Sequence, residues 1–449
     1  LDVVNARGYD FRHRAILGSD LKGWIDLRSI ELFAGAGGLA IGTSRAGFHH
    51  EAVLEWDHNA CQTLRLNRAA GHGHCGDWNV IRRDISEYDF KPHHGGVEFV
   101  SGGPPCQPFS LGGKHRGHVD QRNMFPHAVR AVREIQPKAF IFENVKGLLR
   151  KNFANYYSYI IHQLRFPDLI SKGDEEWTDH LARLEKLATG GRHKGLSYNV
   201  VYRLMNAADY GVPQHRYRVL IVGVRSDLEI EFSFPERTHE EDALLYDQWI
   251  SGEYWERHKI SKKRRPPMPK SVRHKVDRLG LFWRGSMSMP WRTTRDAIAD
   301  LPQVGDGKSS PKISDHFLNP GARSYPGHTG SPYDEPAKAL KAGDHGVPGG
   351  ENMLRMPDGA VRYFSVRECA RIQTFPDEWK FAGSWTESMR QLGNAVPVLL
   401  AETVAKRLAS VVGFSKKGEA PPRPASSGES RPDGKPDRVR HQVTAMADA

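Results

Sequence analysis

No run of the 449-residue chain approaches the roughly 18 uninterrupted apolar residues that a bilayer span needs, so no membrane helix is expected. Cysteine is scarce. Cys61, Cys75, Cys106 and Cys369 are the full set, none at C-x-x-C spacing, which sets aside a disulfide framework and points to a reducing, cytoplasmic setting. The stretch "GHGHC" (71–75) with Cys61 fits no usual zinc spacing, and no metal is expected. The first residues, "LDVVNARGYDFRHRAILGSD", lack the basic-then-apolar layout of a signal peptide, and internal repeats are absent. Acidic residues fall short of basic ones, leaving a net charge of +11 and a pI near 9.4. That balance suits a polyanionic partner, most often nucleic acid, although a solvated basic surface explains charge alone equally well.

What is present is an α/β alternation. "SIELF" reads as a buried strand, followed by a glycine turn, a helix through Arg45, the strand "EAVLEW" and a helix around 59–67. A short strand into "RRDI", the strand "VEFVSGG", the helix "FPHAVRAVREIQP" and the strand "AFIFENV" continue it. Such alternation builds right-handed βαβ units and a mostly parallel sheet with helices on both faces. Two amphipathic helices, "YYSYIIHQLRF" and "EEWTDHLARLEKLAT", precede the paired strands "YNVVYRLMN" and "RYRVLIVGV". Five segments are expected: an N-terminal extension (1–27), a catalytic, cofactor-binding domain (28–225), a smaller irregular, β-containing domain (226–360), C-terminal helices returning to the first domain (361–413), and a disordered tail (414–449). Within the fourth, "SVRECARIQTFP" reads as a helix. A last helix after "GNAVP" carries Leu400, Val404 and Leu408 on one face and stops at Gly413.

The chemistry-bearing residues gather at strand ends. "ELFAGAGGLA" fits G-x-G-x-x-[G/A] at Gly35, Gly37 and Ala40, and Glu55 closes the next strand. This is a nucleotide-type site that admits NAD, FAD or S-adenosylmethionine. Asp84 would lie on the same sheet edge, as a partner for an adenine amino group or as a turn cap. "VSGGPPCQPFS" holds Cys106 in a proline-fixed loop at that edge, as a nucleophile is presented, and Glu143 ends the next strand. Arg216 and Arg218 in "QHRYR" lie two apart on one strand face and need an anion, with phosphate the natural candidate and surface carboxylates the alternative.

These motifs, in this order, resemble the bacterial DNA (cytosine-5)-methyltransferases of type II restriction-modification systems, along nearly the whole catalytic region. "FAGAGG", "GGPPCQPFS", "ENV", "QHRYR", "RECARIQTFPDEW" and "GNAVPV" carry the likeness. The resemblance implies a Rossmann-like S-adenosylmethionine-dependent fold, with residues 226–360 as target-recognition domain. It also implies transfer of a methyl group to carbon 5 of a flipped-out cytosine in duplex DNA, through a covalent bond from Cys106 to carbon 6. Glu143 would bind N3 and the exocyclic amine, Arg218 would support the cytosine or a neighbouring phosphate, and Arg216 would assist. For the cofactor it assigns Phe33, Ala34, Gly35, Gly37, Gly38, Leu39, Glu55, Trp56, Asp84, Ile85, Pro104, Met124, Asn394 and Val396. DNA contacts fall to Gln107, Ser110, Lys114 and Arg116, in a loop (110–123) that closes over the base. A monomer is implied, with a cognate endonuclease acting on the same site, and the texture of the recognition region is similar to members that read short GC-rich palindromes such as GGNCC. The chain departs from the pattern at Ala339 in "PAKALKAG", where many relatives carry threonine, and in a longer helical insert at 153–190.

Three rivals remain at this point. A nicotinamide-dependent oxidoreductase shares the glycine turn but leaves Cys106, Glu143 and the arginine pair unexplained. A tRNA methyltransferase of the same family would not need the long region from 226 to 360. A silent DNA-binding protein would not need a full catalytic set.

Overall fold

The computed structural model describes residues 27–72, 74–105, 123–190, 193–282, 285–304, 313–326, 328–342 and 352–413. The expectations for 1–26 and 414–449, and for Cys106, Gln107, Ser110, Lys114 and Arg116, lie outside the described residues.

The first half runs β1 (Leu27–Leu32), α1 (Gly38–Arg45), β2 (Phe48–Glu55), α2 (His58–Ala69), β3 (Val80–Arg82), β4 (Phe99–Gly102), α3 (Phe125–Ile135) and β5 (Ala139–Val145). It continues through α4 (Ala154–Arg165), α5 (Trp177–Gly190), β6 (Tyr198–Asn206) and β7 (Tyr217–Arg225). The seven strands form one sheet in the order β3-β2-β1-β4-β5-β7-β6. Pairing is parallel from β3 through β5, and β7 runs antiparallel to both of its neighbours. Side chains alternate between two cores, as the two-residue period of a strand dictates. Ile30, Leu32, Val100, Phe140, Phe142 and Ile221 face α3, α4 and α5. Leu27, Phe99, Ile141, Leu220 and Val222 face α12 (Val398–Val412), whose Leu400, Val404 and Leu408 are buried as their spacing predicts. Each large apolar side chain so buried stabilises the fold by about 1.5–3 kcal/mol.

Residues 226–360 contain more helix than their irregular sequence predicts. β8 (His239–Glu240) leads into α6 (Glu241–Tyr246), a single π turn (Asp247–Ser251), α7 (Glu253–Arg257) and α8 (Lys270–Phe282). β9 (Met289–Pro290) pairs with β8, and α9 (Thr294–Ile298) follows. The strand content here is short: β8 with β9, and β10 (Met353–Arg355), which pairs with β11 (Val361–Tyr363). Most of these helices span one or two turns, too short for a periodic apolar signal. α10 (Val366–Ile372) opens with a capping box between Ser365 and Glu368. α11 (Trp385–Asn394), which periodicity left unread, is capped by Ser384.

The chain's return is what assembles the centre. Ala34, Ala36, Ile41, Leu64 and Trp78 share one core with Leu340, Leu354, Phe364, Phe375, Trp379 and Leu392. α1 and α12 pack so closely that a Cβ on Gly42 would stand 2.5 Å from the Ala401 Cβ and 2.7 Å from two backbone atoms.

Candidate active site

In an open α/β sheet, ligands bind at the carboxyl ends of the strands, where chain order reverses. Here that point lies between β1 and β4, because the chain leaves β1 toward β2 and β3 and then returns to β4 on the other side. The turn after β1 is therefore brought beside the turn after β4, which leads to Cys106.

Phe33, Gly35 and Gly37 all adopt positive φ (55°, 52° and 90°), and the tight turn is closed by Gly37 N–H donating to the Ala34 carbonyl at 2.9 Å. A Cβ on Gly35 would meet no atom within 4 Å, so this backbone faces open space. Gly38 is the opposite case: a Cβ there would lie 2.2 Å from the Val396 carbonyl oxygen, so only glycine lets the returning segment close in. Leu39 and Val396 pack together with Ala401 behind it.

Glu55 organises the rim. Its carboxylate accepts the amides of Gly35 (2.7 Å), Trp56 (2.8 Å) and Asp57 (2.8 Å). Burial pushes this carboxyl above the ordinary glutamate value, and the three amide bonds work against that rise. Trp56 is 71% exposed, which sets aside a core role and leaves a free ring face at the rim. Asp84 caps the short turn Ile85–Glu87, accepting the Ser86 amide and hydroxyl on one oxygen, both at 2.8 Å. Ile85 is buried in the core beneath.

On the β4 side, the Asn144 side-chain amide donates to the Pro104 carbonyl at 2.9 Å, and Met124 N–H donates to the Pro105 carbonyl at 3.1 Å. The two flanks of the segment carrying Cys106 are thus fixed to β5 and to each other. One layer down, Ser101 Oγ donates to the fully buried Glu31 carboxyl, joining β4 to β1 directly beneath both loops. Desolvation pushes Glu31 up to about 8.

A cleft of about 360 Å3 opens at the ends of β5 and β7, lined by Glu143, Arg218, Ala339, Lys341, Gly393 and Asn394 among others. Glu143 pairs across the ladder with Leu220, and Arg218 with Val145, so Glu143 and Arg218 project from one face. Arg218 Nε lies 2.5 Å from Glu143 Oε1. Burial nevertheless holds the Glu143 carboxyl above its usual range. Gly103 leaves room for it, since a Cβ there would stand 3.2 Å from Glu143 Oε2.

The arginine pair corrects one expectation. Arg216 is fully buried, and its guanidinium donates to the carbonyls of Leu340 (2.9 Å), Gly393 (2.6 Å) and Ala395 (2.9 Å), so it is not available to phosphate. The anion beside Arg218 is Glu143. Asn394, exposed in the cleft, is held in place from below by Arg216. Gln214 accepts Leu340 N–H at 3.1 Å, and Gln373 donates to the Leu392 carbonyl at 2.7 Å, so both fasten the same junction. Glu31, Ser101, Asn144, Gln214 and Gln373 went unread as site residues. All five sit inside quoted motifs, but their partners lie up to 126 residues away and no local spacing reveals them. Among the described residues no cluster of His, Cys, Asp or Glu suits a metal ion, and no helix is long and apolar enough to cross a membrane.

Comparison with known proteins gives the family and the fold. The sequence profile of the C-5 cytosine-specific DNA methylases matches residues 27–168 and 184–410. The chain is 33% identical to the type II methyltransferase M.NgoMIV of Neisseria gonorrhoeae over 85% of its own length and 96% of that protein. It is 32% identical to M.PspPI of Psychrobacter sp. (strain TA137), covering 86% and 80%, and 32% identical to M.Eco47II of Escherichia coli, covering 84% and 77%. The crystal structure of a prophage-encoded DNA modification methyltransferase from E. coli superposes with a TM-score of 0.52 at 20% identity, covering 86% of this chain and 99% of that one, and so shares the fold. The chain is a DNA cytosine-5 methyltransferase, a member of the C-5 cytosine-specific DNA methylase family.

Proposed function

We propose that the chain is the modification enzyme of a type II restriction-modification system, and that it methylates a flipped-out cytosine of duplex DNA by way of a covalent bond from Cys106. Its relatives at 32–33% identity are named type II methyltransferases, which supports the system. The observation that carries the chemistry is Glu143. A buried carboxyl, raised in pKa and backed by Arg218, stands at the edge to which the Cys106 segment is tied.

The cofactor site fits S-adenosylmethionine. Gly35 offers open backbone, Glu55 a carboxylate for ribose hydroxyls, Trp56 an exposed ring for adenine, and Asp84 an oxygen for its amino group. Phe33, Ala34, Gly37, Gly38, Leu39, Ile85, Pro104, Met124, Asn394 and Val396 complete the walls. Bound there, S-adenosylmethionine supplies an electrophilic methyl group. The protein's own task is to make carbon 5 of cytosine nucleophilic. The Cys106 thiolate forms a bond to carbon 6, the displaced electron pair moves to N3, and Glu143 delivers a proton there. Arg218 holds Glu143 in position and balances its charge once the proton has gone. Once carbon 5 carries the methyl group, a base takes its proton, the C6–S bond breaks and the thiolate leaves, and the N3 proton returns to the Glu143 carboxylate. Arg216 acts as a positioning residue, and Gln107, Ser110, Lys114 and Arg116 serve the DNA. The working unit is a monomer, and its endonuclease acts on the same site and need not bind this chain.

Duplex DNA carrying 5-fluorocytosine tests the reading, because fluorine at carbon 5 cannot leave as a proton does. Incubation with S-adenosylmethionine should yield a protein–DNA adduct mapping to residue 106. Its absence, or the same adduct in Cys106→Ala, refutes the mechanism, and preferential labelling of tRNA refutes the substrate. Bisulfite sequencing of DNA from expressing cells should show one short GC-rich palindrome such as GGNCC methylated.

A further inference from the structure

The helices between β8 and β9 form a module that the methyl-transfer chemistry leaves unused. Its small cores are its own: Leu244, Tyr254 and Trp255 make one, and Leu245, Val276 and Leu279 another. Its base is not remote. Trp291 Nε1 donates to Asp209 at 3.1 Å, just past the end of β6, and Trp291 packs edge-on against His215, the neighbour of Arg216. β6 runs in the same direction as β5, so this base stands on the same sheet edge as Glu143. The Tyr254 hydroxyl also donates to Asp334 at 2.8 Å, next to the segment that lines the cleft.

α8 crosses this module with two unlike faces. Val272, Lys275, Val276 and Leu279 turn inward, and Lys275 meets Glu241 (2.6 Å) and Asp242 (2.5 Å). The outward face carries Lys270, Arg273 and Arg278, all exposed, with His274 and a single carboxylate, Asp277, among them. None of the three cations has a carboxylate partner among the described residues. Lys262, Lys263 and Arg264, exposed in the turn leading into the helix, have none either. Lys275, turned inward, is thus neutralised within the fold, whereas the six cations of the outer α8 face and the turn before it are left to solvent. From Lys270 to Arg278 the stripe spans roughly 12 Å. A duplex presents one phosphate per strand about every 3.4 Å of its axis.

We infer that the outer face of α8, with the basic turn before it, is a phosphate-binding arm that grips the DNA backbone beside the target site without reading bases. The inference rests on duplex DNA being the substrate. It predicts a purely electrostatic contribution, equal for cognate and non-cognate sequence.

The test measures binding of the full chain to cognate and unrelated duplexes across a salt series. K270Q/R273Q/R278Q should lower the slope of log K against log salt by two to three, at about 0.9 for each phosphate no longer neutralised. Both duplexes should weaken by the same factor, and turnover at saturating DNA should not change. The single variants R273Q and R278Q should each remove about one from the slope, which keeps the test open should the triple variant melt early. Neutralising Lys172, Lys186 and Lys194, exposed on the α4–α5 side, should leave the slope alone. An unchanged slope in the α8 variants, or an equal fall in the α5-side control, overturns the arm. Failure of the functional reading would show differently, as a wild-type chain that binds duplex DNA and never methylates it.

Discussion

At the scale of single residues, the centre turns on one buried ion pair. Glu143 carries its acid into a site where desolvation favours the protonated form, and Arg218 opposes that without overcoming it. In the proposed mechanism the proton donor to N3 must hold its proton until the thiolate attacks, and the raised value serves that step. Glu143→Gln keeps the shape but cannot surrender a proton. It should lower kcat by about 10²–10³-fold with cofactor affinity unchanged, as single-turnover methylation and calorimetry would show. In wild type, the acid form is lost as pH rises through the Glu143 pKa, so kcat should fall on the alkaline side, and this limb should vanish in the glutamine variant. Arg218→Met leaves Glu143 without its counter-charge, which raises its pKa further and moves the same limb to higher pH. The residues of this pair were legible beforehand because each ends or begins a strand within a short motif. Their pairing was not, because two acidic and basic side chains in separate motifs announce neither burial nor contact.

At the scale of elements, the sheet does more than carry loops. Glu31 and Ser101 join β1 to β4 through an uncharged acid buried beneath the glycine turn and the segment leading to Cys106. The pKa rises from 4.5 unfolded to about 8 folded, so the native state binds the extra proton. The stability this group lends is fully present below about pH 4.5 and is lost as pH climbs through 8. At about 1.4 kcal/mol per unit, the loss amounts to a few kcal/mol. Glu31→Gln should therefore flatten the fall in melting temperature between pH 5 and 9, and wild type and variant melting in parallel would refute the assignment. The α1–α12 contact gives a second prediction. Gly42→Ala forces a methyl group against Ala401 and should cost about 1–3 kcal/mol of stability by overpacking, read as a lower midpoint in urea. The central strands and α12 were legible because their apolar period is long and uninterrupted. α11 and the one- and two-turn helices after β8 were not, since their character comes from what they pack on.

At the scale of the whole molecule, the fold closes by bringing back chain that the first half lacks. Leu340, Gly393 and Ala395 are 124, 177 and 179 residues from Arg216, yet all three carbonyls converge on its guanidinium. One side chain thereby fixes the base of the cleft, the wall that carries Lys341, and the segment running from Asn394 to Val396 against Gly38. The motif "QHRYR" marked Arg216 as important, but its reading as an anion ligand failed because burial and three backbone acceptors are properties of the closed chain alone. Arg216→Met keeps the bulk and removes every donor. The Leu340 and Gly393 carbonyls then lose the guanidinium donor, at a cost of about 1–3 kcal/mol each before relaxation, while the Ala395 carbonyl keeps only the Gln373 side-chain amide at 3.5 Å. Relaxation would come through movement of residues 393–395, since α12 is anchored independently through Leu400, Val404 and Leu408. The variant should therefore melt earlier and bind S-adenosylhomocysteine at least ten-fold more weakly, while the Cys106 adduct with 5-fluorocytosine DNA, which needs cofactor, forms only when cofactor is raised in proportion. Arg216→Lys, restoring one or two of the bonds, should recover part of the affinity. A methionine variant that loses stability but holds cofactor as tightly as wild type would show that Arg216 supports the fold and does not position the site.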